Sequence, residues 1–208
     1  MPTITLPDGS TKAFDRPVTA LEVAESIGER LAKACVGCLV DGELRDLSST
    51  LDHDCTLELV TEKTRDKRDD PNALYLLRHS AAHVMAEAIQ RVVPGAELVY
   101  GPPLEDGFYY DIAFPGDRPL KEGDFEAIER EMAAIVQEDR PFTRYEMGID
   151  EGMAKLRGEE SKYKIDNAEK AVHAGSGALS FYATGEPGED WEDLCRGPHV
   201  PSTGRIGA

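Results

Sequence analysis

The chain has 208 residues, an apolar fraction of 40% and a formal net charge of −17 at pH 7. This length is sufficient for one large domain or two small ones with buried cores. The charge weakens the expectation of nucleic-acid binding, which needs clustered Lys and Arg, but a charge sum does not exclude a single basic groove.

The composition is that of an ordinary soluble protein. No apolar run reaches the roughly 18 residues of a membrane span, and no secretory signal is visible at the N-terminus. Four unevenly spaced cysteines without an export signal predict reduced thiols in the cytoplasm.

Residues 1–62 predict a small α+β unit. Thr19 and Glu22 have the spacing of a capping box at a helix start, and Gly28 interrupts that helix. Strands are expected around this helix, at residues 3–6, 12–14, 36–40, 43–46 and 56–60. A hairpin, a helix, a hairpin and a strand in this order indicate a ubiquitin-like β-grasp domain. Residues 63–72 are almost devoid of apolar side chains and predict a linker.

Residues 73–208 predict a larger α+β domain with helices on one face of a mixed or antiparallel sheet. Its first helix, about 72–93, carries an apolar stripe made of Leu74, Leu77, Ala81, Met85, Ala88 and Val92. Asp124 is expected to cap a second helix whose inward side chains are Phe125, Ile128, Met132, Ile135 and Val136. Strands are expected at 97–100, 107–112, 142–147 and 179–183, and a short helix at 151–156.

Two histidines on the first of these helices are candidates for chemistry. His79 and His83 are four residues apart, so both rings leave one helix face. The zincin metalloprotease motif needs Glu after the first His, and Ser80 stands there, so that function is not supported. Cys195 and His199 repeat the four-residue spacing. Together the four side chains form a His₃Cys set of a kind that suits zinc; an ordinary packed or surface role is the alternative for each one singly.

Other chemical signals are weaker. Asp193, two residues before Cys195, could orient an imidazole or a water. Cys35 and Cys38 form a lone CxxC at the start of a strand and are interpreted as packing residues. Lys164 lies in a stretch without a helical pattern, where a lysine is most often solvated. No P-loop, GxGxxG or catalytic-serine elbow is present, so ATP chemistry is not expected within these residues.

Four sequence segments resemble a known family. The N-terminal segment MPTITLPDGS, with the capped helix and LAKAC after it, resembles the TGS domain of bacterial threonyl-tRNA synthetases. The segments RHSAAHVMAEAI, GPPLEDGFYYDI and DLCRGPHVP resemble the editing domain, also called the second additional domain, of the same family. The resemblance runs in matching order from residue 1 to about residue 205 and is weaker between about 113 and 160. The chain ends where the family's linker and class II catalytic domain would begin, which implies the N-terminal portion of a larger enzyme.

The resemblance implies roles for seven residues. Catalytic roles fall to His79, His83 and Lys164. Substrate binding falls to Tyr110, Asp193, Cys195 and His199. No metal is expected in this family's editing site; if zinc is bound, its ligands would be His79, His83, Cys195 and His199.

The implied function is proofreading by ester hydrolysis of tRNA(Thr) mischarged with serine. The full-length enzyme would ligate threonine to tRNA(Thr), and ATP, Mg and Zn are expected only with its absent catalytic domain. The resemblance implies tRNA(Thr) as the partner and no association with a membrane. It also implies that the full-length enzyme is a homodimer, formed through domains absent here. Two alternatives remain open: a zinc-dependent deacylase of the alanyl type, and a non-catalytic tRNA-binding module.

Overall fold

The computed structural model describes residues 1–64, 66–117 and 120–207. Helices and strands alternate irregularly along the chain, which confirms the predicted α+β class. Two compact units are present. The first comprises Met1–Leu77 with Gly197–Pro201, and the second comprises Arg78–Arg196 with the residues from Ser202 onward. The domain boundaries drawn from the sequence stay a prediction.

The first unit is built on a five-stranded sheet. Its elements are β1 (Thr3–Thr5), β2 (Thr11–Ala13), β3 (Val18–Thr19), α1 (Ala20–Ile27), α2 (Glu29–Ala34), β4 (Cys35–Val40), β5 (Glu43–Arg45), β6 (Thr50–Leu51) and β7 (Cys55–Thr61). The sheet order is β2-β1-β7-β4-β5, with β1 and β7 parallel and the other neighbours antiparallel. Strands β3 and β6 form a separate antiparallel pair. This arrangement is β-grasp-like, as predicted.

The capping box of α1 is present as the sequence predicts. The backbone N–H of Glu22 donates to Thr19 Oγ1 at 3.2 Å, and the backbone N–H of Thr19 donates to Glu22 Oε2 at 2.7 Å. Two donors at the helix start are thereby satisfied. Val23 and Ala24 then turn into the core of the unit, and Gly28 separates α1 from α2.

The second unit holds most of the helical residues. Its elements are α3 (Pro71–Val92, which begins in the first unit), β8 (Glu97–Tyr100), β9 (Pro103–Leu104), β10 (Gly107–Phe108), β11 (Asp111–Ala113), α4 (Glu122–Glu138), β12 (Phe142–Gly148), α5 (Ile149–Gly158), α6 (Lys162–His173), β13 (Ala178–Thr184) and β14 (Glu192–Leu194). Short 3₁₀ turns occupy Pro115–Asp117 and Thr203–Arg205. Strands β12-β13-β14 form an antiparallel sheet, on which α5 and α6 pack.

The buried face of α3 differs from the predicted apolar stripe. Of that stripe only Ala88 is fully buried, and the other five side chains are partly exposed. The buried side chains of this helix are Ala73, Leu76, His79, Ser80, Ala82, His83, Val84, Ala86, Glu87, Ala88 and Ile89. The apolar stripe is not the buried face, because His79, His83 and Glu87 follow one another at four-residue steps on the face that is buried.

Three further predictions need correction. Phe125 was expected inside but is 51% exposed, while Ile128 and Ile135 are buried. Asp124 is the third residue of α4 and accepts the backbone N–H of Lys121 at 2.8 Å, so it supports the helix start without being the cap residue. The strand predicted over 107–112 is divided into β10 and β11, and the two residues between them are Tyr109 and Tyr110.

A helix was also missed, since α6 contains Lys164 in the stretch interpreted as non-helical. Cys35 and Cys38 are buried free thiols, in line with the predicted packing role. Burial raises the pKa of the Cys38 thiol to about 12, and the nearby Asp46 carboxylate acts in the same direction. No helix among the described residues combines the length and apolar character that crossing a membrane requires.

Candidate functional site

Helix α3 and the end of β14 bring three of the predicted site residues together. The His79 and His83 rings have centroids 5.3 Å apart and stand nearly perpendicular, at 87°. Cys195 follows β14 directly, and its Sγ lies 3.3 Å from Nε2 of His79. The potential ligand atoms of these three side chains all lie within 4.8 Å of one another. The four-residue spacing on α3 therefore brings the His79 and His83 rings next to each other, as the sequence predicts.

The His83 imidazole lies deep in the second unit. It is 2% exposed, with the Trp191 ring at 5.5 Å and the Phe142 ring at 6.4 Å between centroids. Its Nε2 is 4.0 Å from Asp193 Oδ2. Burial holds the pKa of His83 well below its usual range, and the charges of His79 and Lys164 act in the same direction. His83 is therefore a neutral imidazole at neutral pH.

A buried cluster of Lys164, Asp193 and Tyr110 stands beside the histidines. Lys164 Nζ lies 2.7 Å from Asp193 Oδ1 and 2.9 Å from Oδ2, and it donates to Tyr110 Oη at 2.9 Å. Tyr110 Oη in turn donates to Asp193 Oδ2 at 2.5 Å. Two of the three hydrogens of the ammonium group are thus engaged in hydrogen bonds, to Tyr110 and Asp193, and the group also forms an ion pair with Asp193. A substrate atom bound by Lys164 competes with these partners.

The phenol of Tyr110 is held in its protonated form. Burial raises the pKa of Tyr110 well above its usual range, and the neighbouring Asp193 carboxylate acts in the same direction. Its position depends on the break between β10 and β11. A side chain at Gly101 would overlap the Tyr110 ring, so the absence of a Cβ there allows the close approach.

A cavity of about 420 Å³ adjoins this cluster. Lys164 and Asp193 are part of its wall, together with apolar side chains such as Leu98, Leu156 and Phe181. Its volume falls in the range of small-molecule sites, which is roughly 300–1,000 Å³. Most of the wall is polar, with charged side chains such as Lys155, Glu159 and Glu192, so the cavity can orient a small polar ligand beside Lys164 and Asp193.

His199 belongs to the first unit. It lies in the segment Gly197–Pro201, is 1% exposed, and its backbone N–H donates to Asp46 Oδ1 at 2.7 Å. The other six predicted site residues all belong to the second unit. The contacts described above join His79 with His83 and Cys195, and Lys164 with Asp193 and Tyr110.

Sequence reasoning missed two groups next to the site, the partly buried Trp191 and the buried Glu87. Trp191 contacts His83, and only its position two residues before Asp193 could have indicated it. Glu87 is 2% exposed, one helical turn after His83, so the same four-residue spacing could have indicated it. Its carboxylate accepts from Arg91 Nη2 at 2.7 Å, Arg140 Nη2 at 2.5 Å and Thr184 Oγ1 at 2.6 Å.

Comparison with known proteins identifies two family domains along the chain. Residues 2–61 match the TGS domain, and residues 179–208 match the threonyl and alanyl tRNA synthetase second additional domain. The chain is 45% identical over 206 residues to the threonine–tRNA ligase of Thiobacillus denitrificans. It is also 45% identical over 208 residues to that of Desulfosudis oleivorans and 44% identical over 208 residues to that of Hahella chejuensis.

The chain matches the amino-terminal region of relatives named threonine–tRNA ligase. These alignments cover 99–100% of the chain and 30% of each relative, so the chain spans about a third of their length. The match to the family's second additional domain includes Asp193, Cys195 and His199, whereas His79, Tyr110 and the other predicted site residues precede it.

Proposed function

We propose that the second unit is an editing site that hydrolyses the ester bond of tRNA(Thr) mischarged with serine. The observation that carries the proposal is the buried Lys164–Asp193–Tyr110 cluster at a small-molecule cavity, next to two histidines and a thiol. Hydrolysis of an aminoacyl ester needs a base that activates water and donors that stabilise the oxyanion, and a neutral imidazole, an ammonium group and a protonated phenol can supply these functions.

In this proposal His79 or His83, with Lys164, positions and activates the attacking water. A neutral imidazole can accept the proton that the water loses as it attacks the carbonyl, and the depressed pKa of His83 keeps it neutral. The Lys164 ammonium lies where it can stabilise the negative charge that develops on the carbonyl oxygen once it releases one of its acceptors.

The remaining predicted residues bind the substrate. Tyr110, Asp193, Cys195 and His199 would shape the pocket and hold the seryl group and the terminal ribose. The α-ammonium group of an aminoacyl ester is a cation like that of Lys164, and it can take over one oxygen of Asp193. That exchange would free a hydrogen of Lys164 for the reaction.

Such a site supplies selectivity that one binding pocket does not. Serine and threonine differ by a methyl group, which gives a pocket only about 1–3 kcal/mol of discrimination. A second pocket that admits serine and excludes threonine by size adds a separate hydrolytic step. The proposal is thus a double sieve, with the synthetic step located elsewhere in a larger enzyme.

The relatives are named threonine–tRNA ligase, which supports a wider proposal about the complete enzyme. The complete enzyme would ligate threonine to tRNA(Thr) with ATP in the cytoplasm, as a homodimer, and ATP, Mg and Zn would belong to its catalytic domain. The four cysteines of the chain are free thiols, as a reducing compartment requires. With a net charge of −17, we expect this chain alone to bind tRNA weakly and in a strongly salt-dependent manner.

Deacylation of seryl-tRNA(Thr) and threonyl-tRNA(Thr) by the purified chain tests the proposal. We expect preferential hydrolysis of the seryl ester, and a loss of roughly 10²–10⁴-fold on removal of a general base in His79→Ala or His83→Ala. Lys164→Ala should also lose activity, whereas Lys170→Ala, on the exposed face of the same helix, should not. Wild-type rates in both His79→Ala and Lys164→Ala would refute these roles. Retained tRNA binding without any deacylation would instead favour the non-catalytic tRNA-binding module.

A second candidate function is a zinc-dependent deacylase. It is favoured by the donor set itself, because His79, His83 and Cys195 offer two nitrogens and a sulfur in close proximity, and zinc takes such ligands. His199 would be the fourth ligand. Zinc would act as a Lewis acid that lowers the pKa of a bound water. Metal analysis of the purified chain decides: stoichiometric zinc together with loss of activity on chelation supports this candidate, and full activity of zinc-free protein excludes it.

A further inference from the structure

The indole of Trp191 is the largest side chain packed against His83. The two rings meet edge to face, with centroids 5.5 Å apart and an interplanar angle of 81°. Phe142 and His79 contribute further ring contacts, at 6.4 Å and 5.3 Å between centroids. The edge of an aromatic ring attracts the face of another, so such a pair favours particular ring planes.

Trp191 is itself held by a hydrogen bond to α3. Its Nε1–H donates to Gln90 Oε1 at 2.7 Å, and Gln90 Nε2 donates to the backbone carbonyl of Ala96 at 2.8 Å. Gln90 thus uses both ends of its amide, one on the indole and one on the backbone after the helix. This bridge links the indole to the same helix that carries His83, about two turns further along.

The main chain of Trp191 is also anchored. Its carbonyl accepts the backbone N–H of Thr184 at 2.8 Å, at the end of β13. Thr184 Oγ1 donates to the buried carboxylate of Glu87, which lies on α3 between His83 and Gln90. The indole is therefore held at its ring nitrogen and at its backbone, and its contact with His83 has little freedom.

We propose that Trp191, held by Gln90, is a positioning residue that sets the ring plane of His83 for ester hydrolysis. The expected change in kcat rests on the proposed function, whereas the expected orientation of the His83 ring does not. An imidazole turns about its terminal bond with broad preferences, and proton transfer needs a defined direction toward the water. Packing by a fixed indole supplies that direction in a site where His83 is neutral.

Substitution of Gln90 tests the proposal, because the side-chain amide of Gln90 accepts a hydrogen bond from Trp191 and donates one to the backbone of Ala96. Gln90→Met has a similar length and removes the acceptor of the indole N–H. Trp191→Phe removes the same donor and part of the ring, and the double variant combines both changes. Gln137→Met, at an exposed position of α4, is the matched control.

The readouts are kcat and KM for seryl-tRNA(Thr) and the ring nitrogen and proton NMR shifts of His83, assigned by comparison with His83→Gln. We expect Gln90→Met to change the NMR shifts of His83. We also expect it to lower kcat about tenfold with little change in KM, because a positioned general base supplies roughly 10²–10⁴-fold in rate and a misdirected one loses part of this. In the Trp191→Phe background, Gln90→Met should add little further effect.

Two outcomes would overturn the proposal. One is a lower melting temperature for Gln90→Met with unchanged His83 shifts and unchanged kcat, which describes a merely structural residue. The other is a fall in kcat without any change in the His83 shifts. If the wild-type chain hydrolyses no seryl-tRNA(Thr), the proposed function fails, while the NMR comparison still decides whether Gln90 and Trp191 orient His83.

Discussion

Lys164 and Asp193 form an ion pair in which both side chains are more than nine-tenths buried. The Lys164 ammonium lies 2.7 Å from Asp193 Oδ1, and the two side chains are 8% and 4% exposed. Taking two charges out of water is costly, and their attraction offsets this cost only with good geometry and further hydrogen bonds. Tyr110 supplies such a hydrogen bond, at 2.5 Å to the carboxylate. The pair is therefore sensitive to the loss of either partner.

Removal of one partner of this pair should strongly destabilise the chain. In Asp193→Asn the buried ammonium loses its counter-charge, and we expect the free energy of unfolding to fall by about 3–5 kcal/mol. Lys164→Met should have a similar effect, and the double variant should lose clearly less than the sum of the two. Urea unfolding of the four proteins measures this coupling. Lys170→Ala, which breaks an exposed pair with Asp166, should change stability by less than about 0.5 kcal/mol. Strict additivity of the two buried substitutions would contradict the prediction.

The neutral His83 should make stability depend on pH. Its pKa is depressed in the folded protein, so the unfolded chain takes up a proton below about pH 6.5 that the folded chain does not. The stabilising effect is fully present above that pH and is lost as the pH falls toward the folded pKa, by up to about 1.4 kcal/mol per pH unit.

The measurement compares the wild type with His83→Gln in urea unfolding at pH 7.5 and pH 5.5. Titrating groups that do not interact with His83 contribute equally to both proteins, so the difference in slope reports His83 and the groups coupled to it, such as His79 and Lys164. We expect the wild type to lose more stability on acidification than the variant. Equal losses would show that His83 is protonated in the folded state as readily as in the unfolded one.

Glu87 should be a second point of strong destabilisation. Its carboxylate accepts from Arg91, Arg140 and Thr184 and is 3% exposed at the side chain. Glu87→Gln removes the buried carboxylate that accepts from Arg140, which keeps Glu138 at 2.7 Å as a second counter-charge, so we expect a loss of about 1.5–3 kcal/mol in the free energy of unfolding from the weakened charged hydrogen bonds. The matched control is Glu131→Gln, whose partner Arg91 lies at 3.5 Å and whose side chain is 40% exposed; it should lose under about 1 kcal/mol. Equal effects in thermal or urea unfolding would show that the buried carboxylate has no special role.

In the first unit the Thr19 cap should contribute measurably to stability. Thr19→Ala removes the oxygen that accepts the Glu22 N–H, and such changes cost about 1 kcal/mol. Thr19→Ser keeps the hydroxyl and should stay within a few tenths of the wild-type value. Urea unfolding monitored on the first unit distinguishes the two variants. The same loss in both would mean that the methyl group of Thr19, and not its hydroxyl, stabilises the helix start.

Local signals in the sequence predicted several parts of the fold and site well. The capping box of Thr19 and Glu22 and the four-residue spacing of His79 and His83 each depend on neighbours along the chain. The backbone geometry of a turn or a helix determines such contacts, whatever the rest of the molecule does. These features were confirmed for that reason.

Local sequence signals predicted the burial of several side chains wrongly. Phe125 is apolar yet exposed, and Lys164 is charged yet buried, so hydrophobicity alone ranked them in the wrong order. The buried face of α3 was misplaced for the same reason, because Glu87 and His83 occupy it. A polar side chain is stable inside only when its partners come from distant parts of the chain.

The sequence by itself determined the α+β class, the β-grasp domain and the pairing of two imidazoles on one helix, since each follows from backbone periodicity and turn chemistry, whereas it missed α6 and the division of the strand over 107–112. Only the tertiary structure decided the surroundings of those imidazoles. Lys164 reaches Asp193 across 29 positions of the chain, and Tyr110 reaches it across 83. The burial of these groups, and with it the neutral state of His83, arises from contacts that no local pattern encodes.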